Sequence, residues 1–371
     1  MRESAAERHD RLLTLVRERG TARVADLATL LGVSPVTARR DVEALAGRGL
    51  LDRVHGQVSW PGRQSEPGAG RSGEGLVLGL LAPSATYYFA EVIRGAHEAA
   101  ARAGARLILR ISDYRPEEDR ARAEGLLAAG AEGLLVAPGW RGPEDKLAYG
   151  DWPAELPVPA VLLERRADPG SPLDGLDRVV SDHGHGVLLA LRHLLGLGHG
   201  TPLLVARADS PTALAVRTGY TEALAALGVE APGPVIASVP ADQDPEGFAR
   251  AVRALHEAVT SGRASAALVH NDVDAIEIVR RLADLGVKVP EDLALIAYDD
   301  EVAALADTPL TAVAPPKRQV GRHATELLVE RLTGAHTPDE EPARRHLSLL
   351  PRLRVRSSCG APRSPLTPGP F

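Results

Sequence analysis

A chain of 371 residues with 44% hydrophobic and 25% charged residues has the composition of a globular protein of two or three domains, not of a disordered or fibrous one. The single cysteine, Cys359, excludes an intrachain disulfide; no apolar stretch approaches a membrane span and no signal-peptide pattern opens the chain, so a cytoplasmic protein is expected. Net charge is −6 and unevenly spread: residues 1–60 carry ten arginines against eight acids, or +2, and the remainder carries −8. A mildly basic head on an acidic body fits nucleic-acid contact by one module.

In the head, Leu12, Leu13 and Val16 share one face of a first helix that ends near Gly20. Thr21 to Leu31 is expected to be a second helix, with Val24, Leu27, Leu30 and Leu31 apolar. Gly32-Val33-Ser34 supplies a tight turn, and Ser34-Pro35 is a helix start, a capping hydroxyl followed by proline at the first helical position. Beyond it Ala38, Val42 and Leu45 form a narrow apolar stripe, while Thr37, Arg39 and Arg40 lie on the other face. Guanidinium groups on an exposed helix can bind guanine edges or phosphates in pairs of hydrogen bonds, which is what a major-groove reader needs. Leu50 to Val58 follows as a hairpin turning at His55-Gly56, with Arg53 and His55 near its basic tip.

The stretch GVSPVTARRDVEALAGRGLLDRVHGQV closely resembles the DeoR-type winged helix-turn-helix, and the likeness spans roughly residues 3–58. It implies a DNA-binding domain over 1–59 with Ser34, Pro35, Thr37, Arg39, Arg40, Arg53 and His55 toward DNA. Ala38 stands where that family has a larger aliphatic residue and Gln57 where it has a second glycine. Both departures bear on packing and wing shape more than on DNA affinity.

Residues 60–75 are rich in glycine, proline and polar residues without periodicity, the composition of a flexible linker. Gly68, Gly70 and Gly73 spell GxGxxG there, but the motif precedes a strand instead of joining a strand to a helix, so no dinucleotide site is expected. From Leu76 strands and helices alternate: strands at 76–82, 105–111, 133–137, 161–163, 202–206, 266–269 and 293–297, with helices at 88–104, 116–129 and 212–227. Such alternation gives parallel sheets covered by helices. G-x-x-E-A-x-x-x-x-G occurs at Gly95–Gly104 and again at Gly219–Gly228, an internal echo of two similar halves.

Two open α/β lobes side by side direct the carboxyl ends of their strands at a shared cleft, where ligands bind in such sheets. The residues following the strands are therefore site candidates: Ser84, Tyr87, Tyr88 and Phe89, then Ser112 and Asp113, then Glu164 and Arg165, then Arg217, Asn271, Asp272, Asp299 and Asp300. Carboxylates, an amide and arginines pair with vicinal hydroxyls while an aromatic face covers the apolar side of a pyranose, a mixture suited to a sugar or polyol-like metabolite. For Asp272 and Asp300 helix capping is the alternative, and for Glu164 a surface ion pair.

The segments LLAPSATYYFAEVIRGAHEAAARAG, VLLERR, RTGYTEAL, HNDVDAI, VPEDLALIAYDD and LRVRSS resemble, in order, the effector domain of LacI/GalR-type regulators. That resemblance implies an α/β protein with a winged head and a two-lobed, type I periplasmic-binding-protein-like body over 76–358, a homodimer, operator DNA and a carbohydrate effector as partners, and no cofactor. It places Ser84, Glu164, Arg165, Arg217, Asn271 and Asp299 at the ligand, and the strand-end reading adds Tyr88 and Phe89. Pro315 stands where some members have glutamine, and no hinge helix of the usual kind joins head to body. Residues 359–371 are expected to form a disordered tail.

His183-Gly184-His185, with His193 and His199 beyond, heads a helix, where residues two apart face different ways, so no metal site is expected. No nucleophile elbow, phosphate loop or H-E-x-x-H sequence is present. The function expected is a ligand-responsive transcriptional regulator, a repressor of carbohydrate-metabolism or uptake genes, and not an enzyme; a solute receptor or a sugar-processing enzyme built on the α/β body is the alternative.

Overall fold

The structure of the chain is a computed structural model describing residues 8–9, 11–13, 15–16, 21–34, 37–38, 40–42, 45, 52–54, 57–59, 75–334 and 343–361. It divides into two compact units, Met1–Ala69 and Gly70–Phe371. The linker expected at 60–75, with its GxGxxG glycines, lies outside the described residues except for Gly75.

In the first unit, β1 (Thr21–Arg23), α1 (Val24–Leu31), β2 (Asp52–Val54) and β3 (Gln57–Ser59) are joined by helical residues before and after α1. The sheet order is β1-β3-β2, with Thr21 opposite Ser59 and Arg53 opposite Val58 in antiparallel register. Thr21–Arg23 is therefore a strand and not the first turn of a helix as the periodicity predicts: β3 offers an edge whose unpaired backbone groups this segment satisfies. The apolar pattern holds. Leu12, Val16, Leu27, Leu31, Ala38, Val42, Leu45 and Val58 form one buried cluster, while Leu30 stays 38% exposed.

The turn after α1 is built as its residues require. Gly32 adopts a φ of 67°, and the Val33 amide donates to the Ala28 carbonyl at 3.0 Å. Ser34 Oγ accepts from the Thr37 amide at 3.2 Å and lies 2.9 Å from Thr37 Oγ1, so it caps the helical residues that follow. Asp41, 7% exposed, fastens those residues to the first helical segment: Arg8 Nε donates at 2.6 Å and His9 Nε2 stands at 3.1 Å. Hydrogen bonding from Arg8 holds the Asp41 carboxyl below the usual carboxylate range.

The second unit has two lobes. β4 (Val77–Ala82), α2 (Tyr88–Arg102), β5 (Arg106–Ile111), α3 (Pro116–Ala128), β6 (Gly133–Val136), α4 (Pro143–Tyr149), β7 (Ala160–Leu163) and β8 (Asp177–Ser181) build the first. α5 (His183–Gly196), β9 (Leu203–Ala206), α6 (Pro211–Leu227), β10 (Ile236–Ala237), α7 (Pro245–Thr260), β11 (Ala266–His270), α8 (Asp272–Asp284), β12 (Ala294–Tyr298) and β13 (Thr311–Ala314) build the second. The chain then returns: α9 (Lys317–Thr333) and β14 (His346–Leu349) join the first lobe and β15 (Arg352–Arg354) the second. Sheet orders are β14-β8-β7-β6-β4-β5 and β10-β9-β11-β12-β13-β15; every pairing is parallel except β13 with β15. The lobes are thus joined by three crossings, after β8, β13 and β14.

Buried strands explain the continuous apolar runs in the sequence: β6, β7, β9, β11 and β12 are buried at every residue. The body also runs further than expected. Cys359 is fully buried, receiving a hydrogen bond from Thr311 Oγ1 at 3.1 Å, and Ser358 Oγ donates to the Leu295 carbonyl at 2.6 Å. Residues 359–361 therefore belong to the second lobe and not to a tail; residues 362–371 lie outside the described residues. Among the described residues, no helix is long and apolar enough to cross a membrane.

Candidate functional site

The carboxyl ends of both sheets face a cavity of about 260 Å³ between the lobes. Tyr87, Tyr88, Phe89, Tyr114, Glu164 and Arg165 line it from the first lobe, and Arg207, Asp209, Gln243, His270, Asn271 and Asp299 from the second. Its rim is strained. The described non-glycine residues with positive φ are Tyr87 (49°), immediately before α2, and Asp113 (53°), Tyr114 (56°), Glu164 (51°), Asp299 (91°) and Asp300 (54°), each within three residues of a strand end. Left-handed backbone at bulky residues costs of order 1–3 kcal/mol apiece, and such outliers concentrate at ligand clamps.

Glu164 is anchored by its own lobe. Tyr88 Oη donates to Oε1 at 2.9 Å, Ser181 Oγ to Oε1 at 2.8 Å and the Ser181 amide to Oε2 at 3.0 Å. Burial raises its pKa and these three bonds oppose the rise. Arg165, 4% exposed, spans behind it: Nε donates to the Pro138 carbonyl at 2.7 Å and Nη1 to the Glu164 carbonyl at 3.0 Å, leaving Nη2 buried without a partner. The guanidinium lies 5.8 Å from the Phe89 ring centre.

On the other side Asn271 Oδ1 accepts from the Asp274 amide at 3.1 Å, capping α8; the cap is Asn271 and not the neighbouring Asp272. Asp272 instead bridges the lobes. Its carboxylate accepts from Tyr87 Oη and from the amides of Val302 at 2.6 Å and Ala303 at 3.0 Å. Arg207 makes a two-pronged bond to Asp274 at 2.9 and 2.5 Å, and Ser238 Oγ adds a third donor at 2.9 Å.

Two groups stand out as unsatisfied. His270 is 3% exposed and neither ring nitrogen has a partner; Asp299 is 3% exposed and its Oδ1 has none. Burial pushes the His270 pKa down to about 4, helped by the Arg207 charge. Burial pushes Asp299 up to about 6, against the pull of Lys317 and with the push of Asp272. Their nearest atoms, His270 Nε2 and Asp299 Oδ2, are 3.9 Å apart, too far for a hydrogen bond. A ligand offering hydroxyls at this point would satisfy both.

Six of the eight ligand residues expected from the sequence meet at this cavity: Tyr88, Phe89, Glu164, Arg165, Asn271 and Asp299. Two do not. Ser84 turns back into its own loop, accepting from the Thr86 amide at 3.1 Å. Arg217 holds backbone, donating to the carbonyls of Arg207 at 2.6 Å and Ala206 at 2.5 Å; it positions the loop that carries Arg207 instead of meeting the cavity. Arg207, Asp209 and His270 went unrecognised although they sit at strand ends, where the rule that found the others applies. Gln243 and Arg141 come from loops and carry no sequence signal.

In the head, Arg40 is exposed on the helix that follows the turn, and Ser34 and Thr37 are engaged with each other in the cap. Pro35, Arg39 and His55 lie outside the described residues, and Arg53 is placed in β2 by its backbone. Among the described residues no group of three or more His, Cys, Asp or Glu is arranged to hold a metal, and His183 and His185 open α5 after the Asp182 cap.

Residues 8–63 match the DeoR-like helix-turn-helix domain family, and residues 191–359 match the periplasmic binding protein-like domain family. The chain thus joins a DeoR-like helix-turn-helix head to a periplasmic-binding-protein-like body. The HTH-type transcriptional repressor PurR of Aliivibrio fischeri (strain MJ11) is 28% identical to this chain over 281 residues, 75% of this chain and 79% of its own length. Among solved structures, a transcriptional regulator CelR–cellobiose complex aligns with 25% identity and a TM-score of 0.60 over 88% of this chain and 91% of that one. The Escherichia coli transcriptional repressor ascG aligns with 25% identity and a TM-score of 0.60 over 76% and 98%. These relatives are DNA-binding regulators and not enzymes, and the chain is a ligand-responsive regulator of the same kind.

Proposed function

We propose that the chain is a cytoplasmic repressor of carbohydrate-metabolism or uptake genes that binds a sugar between its lobes and, as a homodimer, a two-fold symmetric operator. The reading rests above all on the cavity floor: His270 and Asp299 are buried with unmet hydrogen-bonding atoms, opposite Arg165 Nη2 and beside the Tyr87, Tyr88 and Phe89 rings. Donors, acceptors and aromatic faces in that arrangement suit a polyhydroxylated ring. Filling the cavity would favour one spacing of the lobes, and the three crossings would carry that choice through the body. In the head, Arg39 and Arg40 read or clamp the major groove, Ser34, Pro35 and Thr37 set the start of the reading helix, and Arg53 and His55 meet backbone or minor groove.

A thermal-shift screen of the full chain against pentoses, hexoses and polyols tests the ligand class, since a ligand at a hundred times its Kd stabilises by about 2.7 kcal/mol. At least one sugar is expected to raise the melting temperature of the wild type and not of Asp299→Ala. A screen in which no sugar does so rejects the sugar reading.

A further inference from the structure

Tyr87 occupies the position before α2, where a helix usually has a small polar side chain to cap it, and it caps nothing. Its backbone is held at φ 49° and ψ −123°, a region that residues with a Cβ avoid. Capping and backbone preference both argue against a tyrosine here, so the reason for it lies in what its side chain reaches.

The phenol reaches the other lobe. Tyr87 Oη donates to Asp272 Oδ1, 185 residues further along the chain, and lies 3.4 Å from Asp299 Oδ2. Burial raises the pKa of the phenol, as do the Asp299 and Asp272 charges, so the hydroxyl keeps the proton it donates. Asp272 is fully buried and its two oxygens have different partners. Oδ2 accepts from the Val302 and Ala303 amides of its own lobe, whereas the partner of Oδ1 among the described residues is Tyr87. Both ends of the bond are fixed. α2 lies so close to α9 that a Cβ on Gly95 would meet the Arg318 carbonyl, and α8 starts from the Asn271 cap, so the hydroxyl cannot follow Asp272 if the lobes part. Lys317 also donates across, to Glu301 and to the Asp299 carbonyl, but it stands three residues past β13, where the chain itself joins the lobes. The bond from Tyr87 to Asp272 ties elements that no short connection holds together.

We propose that Tyr87 is an interlobe latch: in the ligand-free chain its bond to Asp272 keeps the lobes together over the cavity, and a ligand enters or leaves through the minority of molecules in which that bond is open. The latch asks nothing of the ligand's chemistry and so does not depend on the sugar reading. Tyr87 is a positioning residue, acting on the cavity through the spacing of its walls. A hydrogen bond to a charged group shifts such an equilibrium by about 10- to 150-fold.

Footprinting of the full chain without ligand tests this, with diethyl pyrocarbonate as the probe and peptide mass spectrometry reading each histidine. His270, 3% exposed on the cavity floor, reports parting of the lobes, and His97, exposed on α2, reports the reagent. Labelling of the fully buried Cys359 by N-ethylmaleimide reports unfolding of the second lobe. Tyr87→Phe, which keeps the ring and removes the hydroxyl, is expected to raise the His270 rate relative to His97 at least fivefold and to leave Cys359 within twofold of wild type. Tyr88→Phe loses bonds to Glu164 and Ser181 that lie inside the first lobe, so it should leave both rates within twofold. A rise at His270 of less than fivefold in Tyr87→Phe overturns the latch. So does a rise that Cys359 shares, which would mean a loosened lobe, or one that Tyr88→Phe reproduces, which would mean a loosened cavity wall.

Discussion

Asp299 carries its proton to higher pH than an ordinary carboxylate because burial penalises the charge more than Lys317 supports it. A hydroxyl donating to this carboxylate favours the ionised form, so effector affinity should rise as pH climbs through about 6 and level off above it. Between pH 5 and 7 the gain is roughly tenfold, the change in the ionised fraction. Titration calorimetry at pH 5.5 in buffers of different ionisation enthalpy should show proton release on binding, absent in Asp299→Asn. For folding the sign reverses: a raised pKa contributes stability below the unfolded value that is lost as pH rises through about 6. His270 is pushed the other way, to about 4, so its contribution is full above its ordinary value and lost as pH falls toward about 4. Its two unpaired nitrogens make a second prediction. His270→Phe removes two buried ring nitrogens that no protein group satisfies, so it should hold or raise the melting temperature while weakening effector binding at least tenfold. A matching loss of both would mean that His270 is structural. Glu164, Asn271 and Asp299 were legible from the strand-end rule; Arg217 was not, because one step along a helix turns a side chain through about 100° and a sequence match does not reveal which carbonyl it will find.

Glycines placed between helices explain the internal echo in the sequence. A Cβ on Gly95 of α2 would lie 1.9 Å from the Arg318 carbonyl oxygen of α9, and one on Gly219 of α6 would lie 2.7 Å from Gly184 Cα of α5. In each case the partner helix begins just after the chain has crossed from the other lobe, so the repeated G-x-x-E-A marks the helix against which a crossing segment packs. The motif was visible and its role was not, because close approach is a tertiary fact that periodicity does not encode. Gly95→Ala is therefore expected to cost about 1–3 kcal/mol or more, since the clash is with backbone and cannot be relieved by a rotamer. Gly125, inside α3 with nothing within 4 Å of an added Cβ, is the control: Gly125→Ala should stabilise by about 0.5–1 kcal/mol. Urea unfolding of the two variants should move the midpoint in opposite directions; movement in the same direction would refute the packing assignment. Seven of the body's twelve strands, β4 to β7, β9, β11 and β12, could be read because most are uninterrupted apolar runs, whereas β8, β10, β13, β14 and β15 are short or interrupted by polar residues and could not. β1 could not, since Thr21–Arg23 is a strand only by virtue of β3 beside it.

Two units with opposite charge on one chain make the regulator a problem in linkage. Arg40 is exposed on the head, so replacing it tests the proposed DNA contact without disturbing a core. Arg40→Ala should weaken operator binding by about 1–3 kcal/mol if it reads a base, and lower the salt-dependence slope by about one if it meets a phosphate, with effector affinity within twofold of wild type. Asp299→Ala should do the converse, abolishing the effector response and leaving ligand-free operator binding intact. The decisive measurement is reciprocal. If the effector changes operator affinity by some factor, operator DNA must change effector affinity by the same factor, because both are one coupling free energy. Binding isotherms on the full chain, with an operator selected from a random duplex pool and the effector found by thermal shift, should give two equal factors of about 5–150. Saturating effector that leaves operator occupancy unchanged would show that the two units, joined through residues 60–74, act independently, and the interlobe cavity would then serve a purpose other than control of DNA binding.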